Sequence, residues 1–255
     1  MNFEVVKLTE VMRQSEKEYI DALNALKLGD KKVKDYFNTR YDSSAVIPAH
    51  AIYLFGTNAE VERKNSAELA KLHGETHTFK NQLMIKPGFQ GKIQTMFADT
   101  LELKVGARVM AVVNDKLGDY SNGSLGTVIR ILENEIHVEF DNGKIVPVER
   151  AEEEHFTYKV DYNIESGQQE IVKDWQYTEC NFPLKLAYAI TIHKSQGQTF
   201  DSVVIHPTCF ANGQLYVALS RCRTFSGIYL LKKIEDKDIR ISQTVIEFEL
   251  ENNII

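Results

Sequence analysis

The sequence has few cysteines and no long apolar segment. Its three cysteines, Cys180, Cys209 and Cys222, are odd in number and widely spaced, which argues against a disulfide framework and against a CxxC metal site. No stretch approaches the roughly 20 consecutive apolar residues that a membrane-spanning helix needs. The N-terminal sequence MNFEVVKLTEVMRQ has no basic segment followed by a long apolar one, as a secretory signal would have. We therefore expect a protein of the reducing cytoplasm.

The sequence also lacks an excess of positive charge. It carries 30 lysines and arginines against 36 acidic residues, for a formal net charge of −6. Bulk charge therefore does not favour binding to nucleic acid, although this argument does not extend to a local groove. A length of 255 residues with 43% hydrophobic content is typical of a globular protein with one large domain or two modest ones.

The first hundred residues carry an α/β pattern. FEVVK (residues 3–7) predicts a short strand, and the segment after it predicts a helix that Ser15 caps and Gly29 ends. AIYLFG (residues 51–56) predicts a buried strand, and residues 57–74 predict a helix directly after it. A strand followed at once by a helix is typical of an α/β fold.

The pattern changes near residue 102. From there to Pro183, short alternating runs are separated by Asn-Gly, Asp-Asn-Gly and Ser-Gly turns, which predict a small β-barrel. The acidic run ERAEEE (residues 149–154) is interpreted as a solvated loop. Beyond Pro183 the α/β pattern resumes, with the strands SVVIHP and GIYLLKKI on either side of the helix GQLYVALSRC.

These patterns predict one α/β domain that an inserted β-barrel interrupts. The expected boundaries are residues 1–101 and 184–235 for the α/β domain, 102–183 for the barrel and 236–255 for a C-terminal tail. The last residues, IEFELENNII, fit a terminal helix, a strand or a tail equally well.

Three polar stretches follow predicted strands or helices, where open α/β sheets place their sites. They are LTEVMRQ with Arg13 and Gln14, ITIHKSQGQTF (residues 190–200), and YVALSRCRTF with Arg221 and Arg223. Each has an ordinary structural interpretation. The two later arginines can complement a helix dipole, Arg13 can form a surface salt bridge, and the histidine of the second stretch can be structural.

The charge distribution favours a functional interpretation. Residues 186–233 contain five basic residues, one aspartate and no glutamate, in a chain that is acidic overall. Phosphate oxygens accept from hydroxyls, ammonium groups and backbone N–H, which this region supplies in Thr191, Ser195, Thr199, Lys194 and the backbone around Gly197. A planar guanidinium suits a phosphate whose charge grows during transfer. The region therefore indicates contacts to a polymer backbone and to a nucleotide.

The sequence lacks the triphosphate- and magnesium-binding motifs with which such arginines act. No GxxxxGK[ST] motif occurs, and no apolar strand ends in Asp-Glu to hold a magnesium ion. The chain has arginines suited to phosphoryl transfer but no cradle for a triphosphate. By itself it is predicted not to hydrolyse ATP.

Five segments carry a resemblance to a known family. In order, they are LTEVMRQSEKEYIDALNALKLGD, AIYLFGTNAEVERKN, LKVGARVMAVVND with SNGSLGTV, AYAITIHKSQGQTFDSVVI, and GQLYVALSRCRTFSGIYLL. They resemble the C-terminal half of superfamily 1 DNA helicases, in the RecD-like subfamily that includes the petite-integration-frequency helicases. The resemblance covers residues 3–234, and IHKSQG together with YVALSR is close to a signature.

The resemblance implies a RecA-like (P-loop NTPase-type) α/β motor domain with an inserted SH3-like barrel, the subdomain called 2B. The first motor domain would precede it in the same polypeptide and bind most of the ATP and Mg²⁺. Single-stranded DNA and that N-terminal RecA-like domain are the implied partners, and the implied location is the nucleoid. The implied mechanism is inchworm movement with 5′→3′ polarity, with the barrel as a DNA brace or a folding scaffold.

The resemblance also implies roles for individual residues. Arg13 and Arg221 correspond to arginine fingers, with Gln14 and Gly197 near the nucleotide. The implied DNA contacts are Thr57, Asn58, Thr191, His193, Lys194, Ser195 and Gln196. Many of these helicases carry a glutamate after the QG pair; QGQTF has none, so no ribose contact is carried over. The role of Arg223 stays open.

Two other functions remain as alternatives. One is a stand-alone nucleic-acid-binding or adaptor module with the shape of a helicase domain and no motor. The other is a subunit of a helicase–nuclease complex. The presence or absence of an upstream ATPase half would distinguish the motor from the stand-alone module. The preferred DNA structure stays open.

Overall fold

A computed structural model describes residues 11–163 and 168–251 as two compact units. One comprises the described parts of Met1–Ser66 and Tyr188–Ile255, and the other comprises those of Ala67–Ala187. The strand predicted at residues 3–7 lies outside the described residues.

The elements are numbered in chain order. The helices are α1 (Lys17–Lys27), α2 (Lys34–Asn38), α3 (Asn58–Lys71), α4 (Gln214–Leu219) and α5 (Gln243–Glu251). The strands are β1 (Ile52–Phe55), β2 (His77–Lys80), β3 (Gln82–Ile85), β4 (Thr100–Leu103), β5 (Arg108–Ala111), β6 (Leu125–Ile131), β7 (Glu135–Phe140), β8 (Ile145–Glu149), β9 (Ala151–Asn163), β10 (Gln168–Asn181), β11 (Leu184–Leu186), β12 (Ala189–Thr191), β13 (Val203–Ile205) and β14 (Ile228–Leu230).

The first unit is built on a four-stranded parallel sheet in the order β12–β1–β13–β14. Leu54 of β1 pairs with Ile190 of β12 on one side and Ile205 of β13 on the other. These central positions are buried, as expected for a parallel sheet whose strands read as continuous apolar runs. The predicted α/β class with a parallel sheet is confirmed.

Helix α1 packs one apolar face into this unit. Tyr19, Leu23 and Leu26 are buried at helical spacing. Gly29 ends the helix with φ of 81°, as predicted, and a Cβ there would lie 2.8 Å from Ile241 Cδ1. The prediction of Ser15 as N-cap is wrong: Glu16 holds that position and no side chain caps the helix, so the first turn depends on packing rather than on a capping box.

The second unit contains a five-stranded antiparallel sheet in the order β11–β5–β6–β7–β8. One apolar cluster forms its core, and that cluster also takes in Leu69, Phe79 and Leu101, which precede residue 102 in the sequence. The compact unit accordingly begins at Ala67, earlier than the predicted insertion. The antiparallel strands agree with the turn signals, whereas closure into an SH3-like barrel stays a prediction.

Strands β9 and β10 form a long antiparallel ribbon in the same unit. Their pairing runs from Ala151 with Asn181 to Asn163 with Gln168, with one irregularity near Trp175. The interpretation of ERAEEE as a loop is therefore wrong, because Glu152, Glu153 and Glu154 belong to β9. The carboxylates of Glu152 and Glu154 reach solvent from the strand, so a charged run did not require a loop.

Glu179 of β10 is a buried acceptor in this unit. Its carboxylate accepts from Met96 N at 2.7 Å, Phe97 N at 3.2 Å, Asn81 Nδ2 at 2.8 Å and His155 Nε2 at 2.8 Å. Burial alone would raise the pKa of this carboxyl, but the four hydrogen bonds outweigh it and hold the pKa below its usual value. The carboxylate therefore fixes the segment before β4 to the ribbon.

Two features complete the description. The region beyond residue 236, where the sequence left helix, strand and tail open, contains the helix α5. No helix in residues 11–163 and 168–251 has the length and apolar character needed to cross a membrane.

Candidate functional site

The candidate site lies in the first unit, where the parallel strands end. Phe55 ends β1 and pairs with Thr191, which ends β12. Residues 57–58 and 192–197 therefore leave the sheet at the same edge, where open α/β sheets bind ligands. The polar segment, defined as residues 191–199, runs from this edge to the loop that follows α4.

Arg13 contacts both the polar segment and the loop after α4. Its Nε donates to Thr199 Oγ1 at 2.9 Å, and its Nη1 donates to Ser220 O at 3.3 Å. Gln14 is buried beside it, and its Nε2 donates to Ser220 O and Cys222 O, both at 2.9 Å. Gln14 thus fixes the backbone of the loop that carries Arg221.

Tyr19 also holds the loop that carries Arg221. Its fully buried hydroxyl donates to Leu219 O and lies 3.4 Å from Cys222 O. Burial raises the pKa of this phenol above its usual value, so it remains a hydrogen-bond donor. Residues of α1 and of the segment before it therefore set the position of the loop.

Arg221 is only 8% exposed and is held by neutral acceptors. Nε donates to Val217 O at 2.9 Å, Nη2 to Ser220 Oγ at 2.7 Å and Nη1 to Gln198 O at 3.4 Å. Burial, and then the neighbouring charge of Arg13, lower the pKa of the guanidinium. The group still carries its charge at neutral pH because arginine titrates far above it.

Neither Arg13 nor Arg221 forms an ion pair with a carboxylate of the described chain. Two neighbouring cations that share only neutral partners are electrostatically unfavourable unless an anion joins them. Arg223 differs, since its exposed Nε lies 3.1 Å from Asp201 Oδ1. Arg13 and Arg221 are therefore chemically suited to an anionic ligand, whereas Arg223 already has a counter-charge.

The polar segment divides into exposed and buried side chains. His193, Lys194 and Gln196 are exposed. Ser195 is fully buried and donates to Ile192 O at 2.6 Å, and Thr191 is buried with Oγ1 accepting from Lys194 N at 3.3 Å. The first three can reach a ligand directly, whereas the two hydroxyls shape the turn that presents them.

Gly197 follows the exposed residues with φ of 80°. A Cβ at this position would meet nothing within 4 Å. The glycine is therefore required for its left-handed backbone rather than for space. That conformation turns the chain from the sheet edge towards Gln198 and Thr199, which contact the arginines.

Thr57 immediately precedes α3 and Asn58 begins it at the same edge, and both side chains are exposed. Thr57 Oγ1 lies 2.7 Å from Glu60 Oε2 and accepts from Glu60 N at 3.4 Å. This places Thr57 as the N-cap of the helix. Asn58 supplies an exposed amide at the helix N-terminus.

Phe210 joins the site although the sequence did not single it out. Its side chain is 58% exposed, its ring centroid lies 6.2 Å from that of His193, and it lies against Gly56. Gln214 Oε1 accepts from Phe210 N at 3.0 Å and from Ala211 N at 3.3 Å, which fixes the loop. An exposed phenylalanine among polar groups offers a stacking surface, and the signal for it was one aromatic residue between a predicted strand and helix.

The site therefore combines three chemical properties at one end of the sheet. It has two unneutralised guanidiniums, a set of exposed hydroxyl, amide and ammonium donors, and an exposed ring. The polar segment contains several of the exposed donors and also contacts both guanidiniums. Among the residues that the structure describes, no group of three or more His, Cys, Asp or Glu is placed to hold a metal ion.

Comparison with known proteins identifies relatives of the chain. The UvrD-like helicase C-terminal domain family matches residues 186–229. The chain is 32% identical to the ATP-dependent DNA helicase Pif1 of Campylobacter jejuni, with 100% of this chain and 61% of the relative covered.

Solved structures give the same result. The fold is similar to Bacteroides sp. Pif1 in complex with ADP-AlF4, with a TM-score of 0.80 and 36% identity over 98% of this chain and 57% of that one. It is also similar to Bacteroides Pif1 bound to ssDNA, with a TM-score of 0.76 and 36% identity over the same shares. The chain spans less than two thirds of each of these three relatives. It matches, over its full length, the C-terminal half of a Pif1-type superfamily 1 helicase, including the RecA-like domain.

Proposed function

We propose that this chain is the second motor domain of an ATP-dependent DNA helicase that moves 5′→3′ along single-stranded DNA. The observation that carries the proposal is the pair Arg13 and Arg221, held by neutral acceptors and without a carboxylate partner in the described chain. A binding module has no need for a buried and a partly buried cation, Arg221 and Arg13, that lack an anion. An ATPase half that precedes this chain supplies the phosphates and the Mg²⁺.

Arg13 and Arg221 act as arginine fingers in this proposal. Their guanidiniums donate to the terminal phosphate as negative charge develops on it, which lowers the barrier to hydrolysis. Gln14 and Tyr19 serve as positioning residues, because their hydrogen bonds go to the loop that carries Arg221. In this proposal Gly197 lies near the nucleotide, and its left-handed backbone allows the turn that leads to Gln198 and Thr199.

The exposed donors at the sheet edge bind the DNA strand. Thr57, Asn58, His193, Lys194 and Gln196 contact the phosphates, while Thr191 and Ser195 hold the turn that presents them. Phe210 stacks on a base, which favours a single strand over a duplex because only unpaired bases expose their faces. None of these contacts reads base identity, so binding is independent of sequence.

The polar segment couples the two activities. Its first half faces the strand, and its second half contacts both arginines through Thr199 and Gln198. Closure of the cleft around ATP changes the contacts of the arginines and moves the segment, and hydrolysis reverses the change. Each cycle advances one domain along the strand.

The gene upstream of the codon for Met1 gives the first test. We expect a strand–GxxxxGK[ST]–helix and a following acidic pair in the same reading frame. A start site with no ATPase half would instead leave a nucleic-acid-binding module without a motor. A helicase–nuclease subunit is distinguished by the presence of a nuclease in the purified complex.

Strand displacement by the complete protein tests the polarity. Two forked substrates that differ only in whether the loading tail is 5′ or 3′ are compared, with ATP and with a non-hydrolysable analogue. Unwinding that needs ATP and the 5′ tail is expected. Equal unwinding from both tails, or unwinding from the 3′ tail alone, contradicts the assigned direction.

A further inference from the structure

Asn65 is the one residue of α3 that is buried within the first unit. The helix runs from Asn58 to Lys71, and its first-unit part ends at Ser66. The other residues of that part are exposed or half-buried, whereas Asn65 is 8% exposed. Helices normally pack through apolar side chains, so a polar side chain at this position indicates a specific hydrogen-bonded contact.

The side-chain amide of Asn65 binds the backbone of Ala189 in both directions. Its Oδ1 accepts from Ala189 N at 2.8 Å, and its Nδ2 donates to Ala189 O at 3.1 Å. A primary amide offers a donor and an acceptor side by side in one plane, as a peptide group does. We call this pair of bonds the clamp.

The clamp takes the place of the bonds that another strand would make. Ala189 lies in β12, the end strand of the parallel sheet in the described chain. Tyr188 O accepts from Tyr53 N of β1, and successive residues of a strand point their N–H and C=O groups to alternate sides. The backbone groups of Ala189 therefore point to the outer edge of the sheet. Since Ala189 is fully buried, loss of the amide would leave both groups without access to water.

The clamp connects the two sets of residues that bind DNA in the proposed function. Asn58, at the start of α3, precedes Asn65 by about two helical turns, or roughly 10 Å. Thr191, which begins the polar segment, closely follows Ala189 in the same strand. The clamp therefore ties the helix that begins at Asn58 to the strand that continues into the polar segment.

The clamp also lies where the chain leaves and re-enters the first unit. The chain passes to the second unit after Ser66 and returns at Tyr188, and each of these residues is next to a clamp residue. A pull on either connection therefore meets the clamp before it reaches the residues at the sheet edge.

We propose that Asn65 is a positioning residue for DNA binding. Its amide keeps the start of α3 and the polar segment in one fixed arrangement, so that Asn58 and Lys194 contact the same DNA strand together. In this role, which rests on the proposed function of the exposed donors, the buried Asn65 acts through Ala189 and α3 rather than by touching DNA.

DNA-stimulated ATP hydrolysis by the complete enzyme tests this role. Asn65→Asp keeps the size and the acceptor but turns a charged oxygen towards Ala189 O, and Asn65→Leu removes both partners without adding charge. Each variant should raise the DNA concentration for half-maximal stimulation by about tenfold or more, as for one lost hydrogen bond to a charged group. The kcat at saturating DNA and the KM for ATP should stay within about twofold of wild type, because the bonds that hold Arg221 involve neither clamp residue.

Asn24→Asp is the matched control for the added charge, because Asn24 is exposed on α1 in the same unit. It should leave all three constants unchanged. Hydrogen exchange shows whether the clamp has opened: in the Asn65 variants, faster exchange should be confined to peptides from α3 and from residues 186–192, with β13 and β14 unchanged.

A normal DNA requirement in both Asn65 variants overturns the proposal. A lower kcat with an unchanged DNA requirement also overturns it, because that result indicates a purely structural role. Wild-type enzyme without DNA-stimulated hydrolysis would instead contradict the proposed function. The affinity of the variants for a labelled oligonucleotide would then decide the role of Asn65 by itself, with weaker binding supporting the proposal and wild-type binding overturning it.

Discussion

Arg13 Nε donates to Thr199 Oγ1 at 2.9 Å although 186 residues separate the two in sequence. The bond joins the segment before α1 to the end of the polar segment that carries Lys194. The orientation of Arg13 therefore depends on the position of the polar segment. In the proposed function, this bond is where a movement of the strand-binding residues reaches an arginine finger.

Arg221→Ala in the complete enzyme should reduce ATP hydrolysis by about 10³-fold or more, the usual effect of losing an arginine finger. Single-strand affinity should stay close to wild type, because the guanidinium is buried and its hydrogen bonds go to Val217, Ser220 and Gln198 rather than to the exposed donors. Arg223→Ala is the matched control, since Arg223 is exposed and paired with Asp201. Steady-state ATPase and anisotropy assays measure the two properties, and lost binding with normal hydrolysis would falsify the assignment.

Thr199→Val should lower the rate of hydrolysis by about tenfold, because the Arg13 guanidinium loses a hydrogen bond worth roughly 1.5 kcal/mol or more. Thr199→Ser keeps the hydroxyl and should restore most of the rate. The comparison is made on kcat at saturating ATP and DNA. Equal rates in both variants would show that the hydroxyl does not position Arg13.

Phe210→Ala should weaken binding to a short single strand by about 1–3 kcal/mol, the usual contribution of one stacked base. Phe210→Trp should retain the affinity, since any flat aromatic ring can stack. Val46→Ala removes a 90% exposed apolar side chain elsewhere in the unit and serves as the control. The assay is anisotropy with a labelled oligonucleotide, and an unchanged affinity in the alanine variant contradicts stacking by Phe210.

Lys194→Ala should reduce the slope of log affinity against log salt concentration by about 0.7, the change expected when one single-strand phosphate contact is lost. Lys32→Ala, also exposed and in the same unit, should leave the slope unchanged. If Lys194→Ala lowered the affinity without changing the slope, the side chain would contribute to binding without releasing a counterion from a phosphate.

Glu179→Gln should lower the free energy of unfolding by about 1.5–3 kcal/mol at neutral pH, because hydrogen bonds to a buried carboxylate are lost or weakened. The folded pKa of Glu179 lies below its ordinary value, so its stabilisation is present above the unfolded pKa and is lost as pH falls through the folded one. Wild type should therefore lose more stability than the variant below about pH 4.5. Urea unfolding measures this, with the exposed Glu133→Gln as control.

Local patterns carried much of the fold prediction. The apolar run of β1 followed at once by a helix, the glycine that ends α1 and the turn dipeptides between residues 102 and 183 each act through nearby chain, so they are readable from sequence. The prediction for the ERAEEE run failed because tertiary pairing decided between local options. The prediction for Ser15 failed because the helix begins one residue later, after Glu16. The pairing of β9 with β10 made a strand from a segment whose charge alone suggested solvent.

The site was predictable as a set of residue types but not as a set of orientations. Ser195 and Lys194 are neighbours in the sequence, yet one is fully buried and the other exposed. Gln14 proved to contact backbone carbonyls that lie 206 and 208 residues away. Whether a side chain is buried, and which distant group it contacts, depends on which strands meet at one edge of the sheet. The spacing of residues along a short segment does not encode this.

The interruption of the first unit has a consequence for biosynthesis. β1 pairs with β12 and β13, but all of Ala67–Ala187 is translated between them, a delay on the order of ten seconds. The antiparallel strands of the second unit pair mostly with near neighbours in sequence and have time to form first. During that time the apolar run IYLF of β1 lacks both neighbouring strands, so its apolar side chains and backbone hydrogen-bonding groups are open to a chaperone.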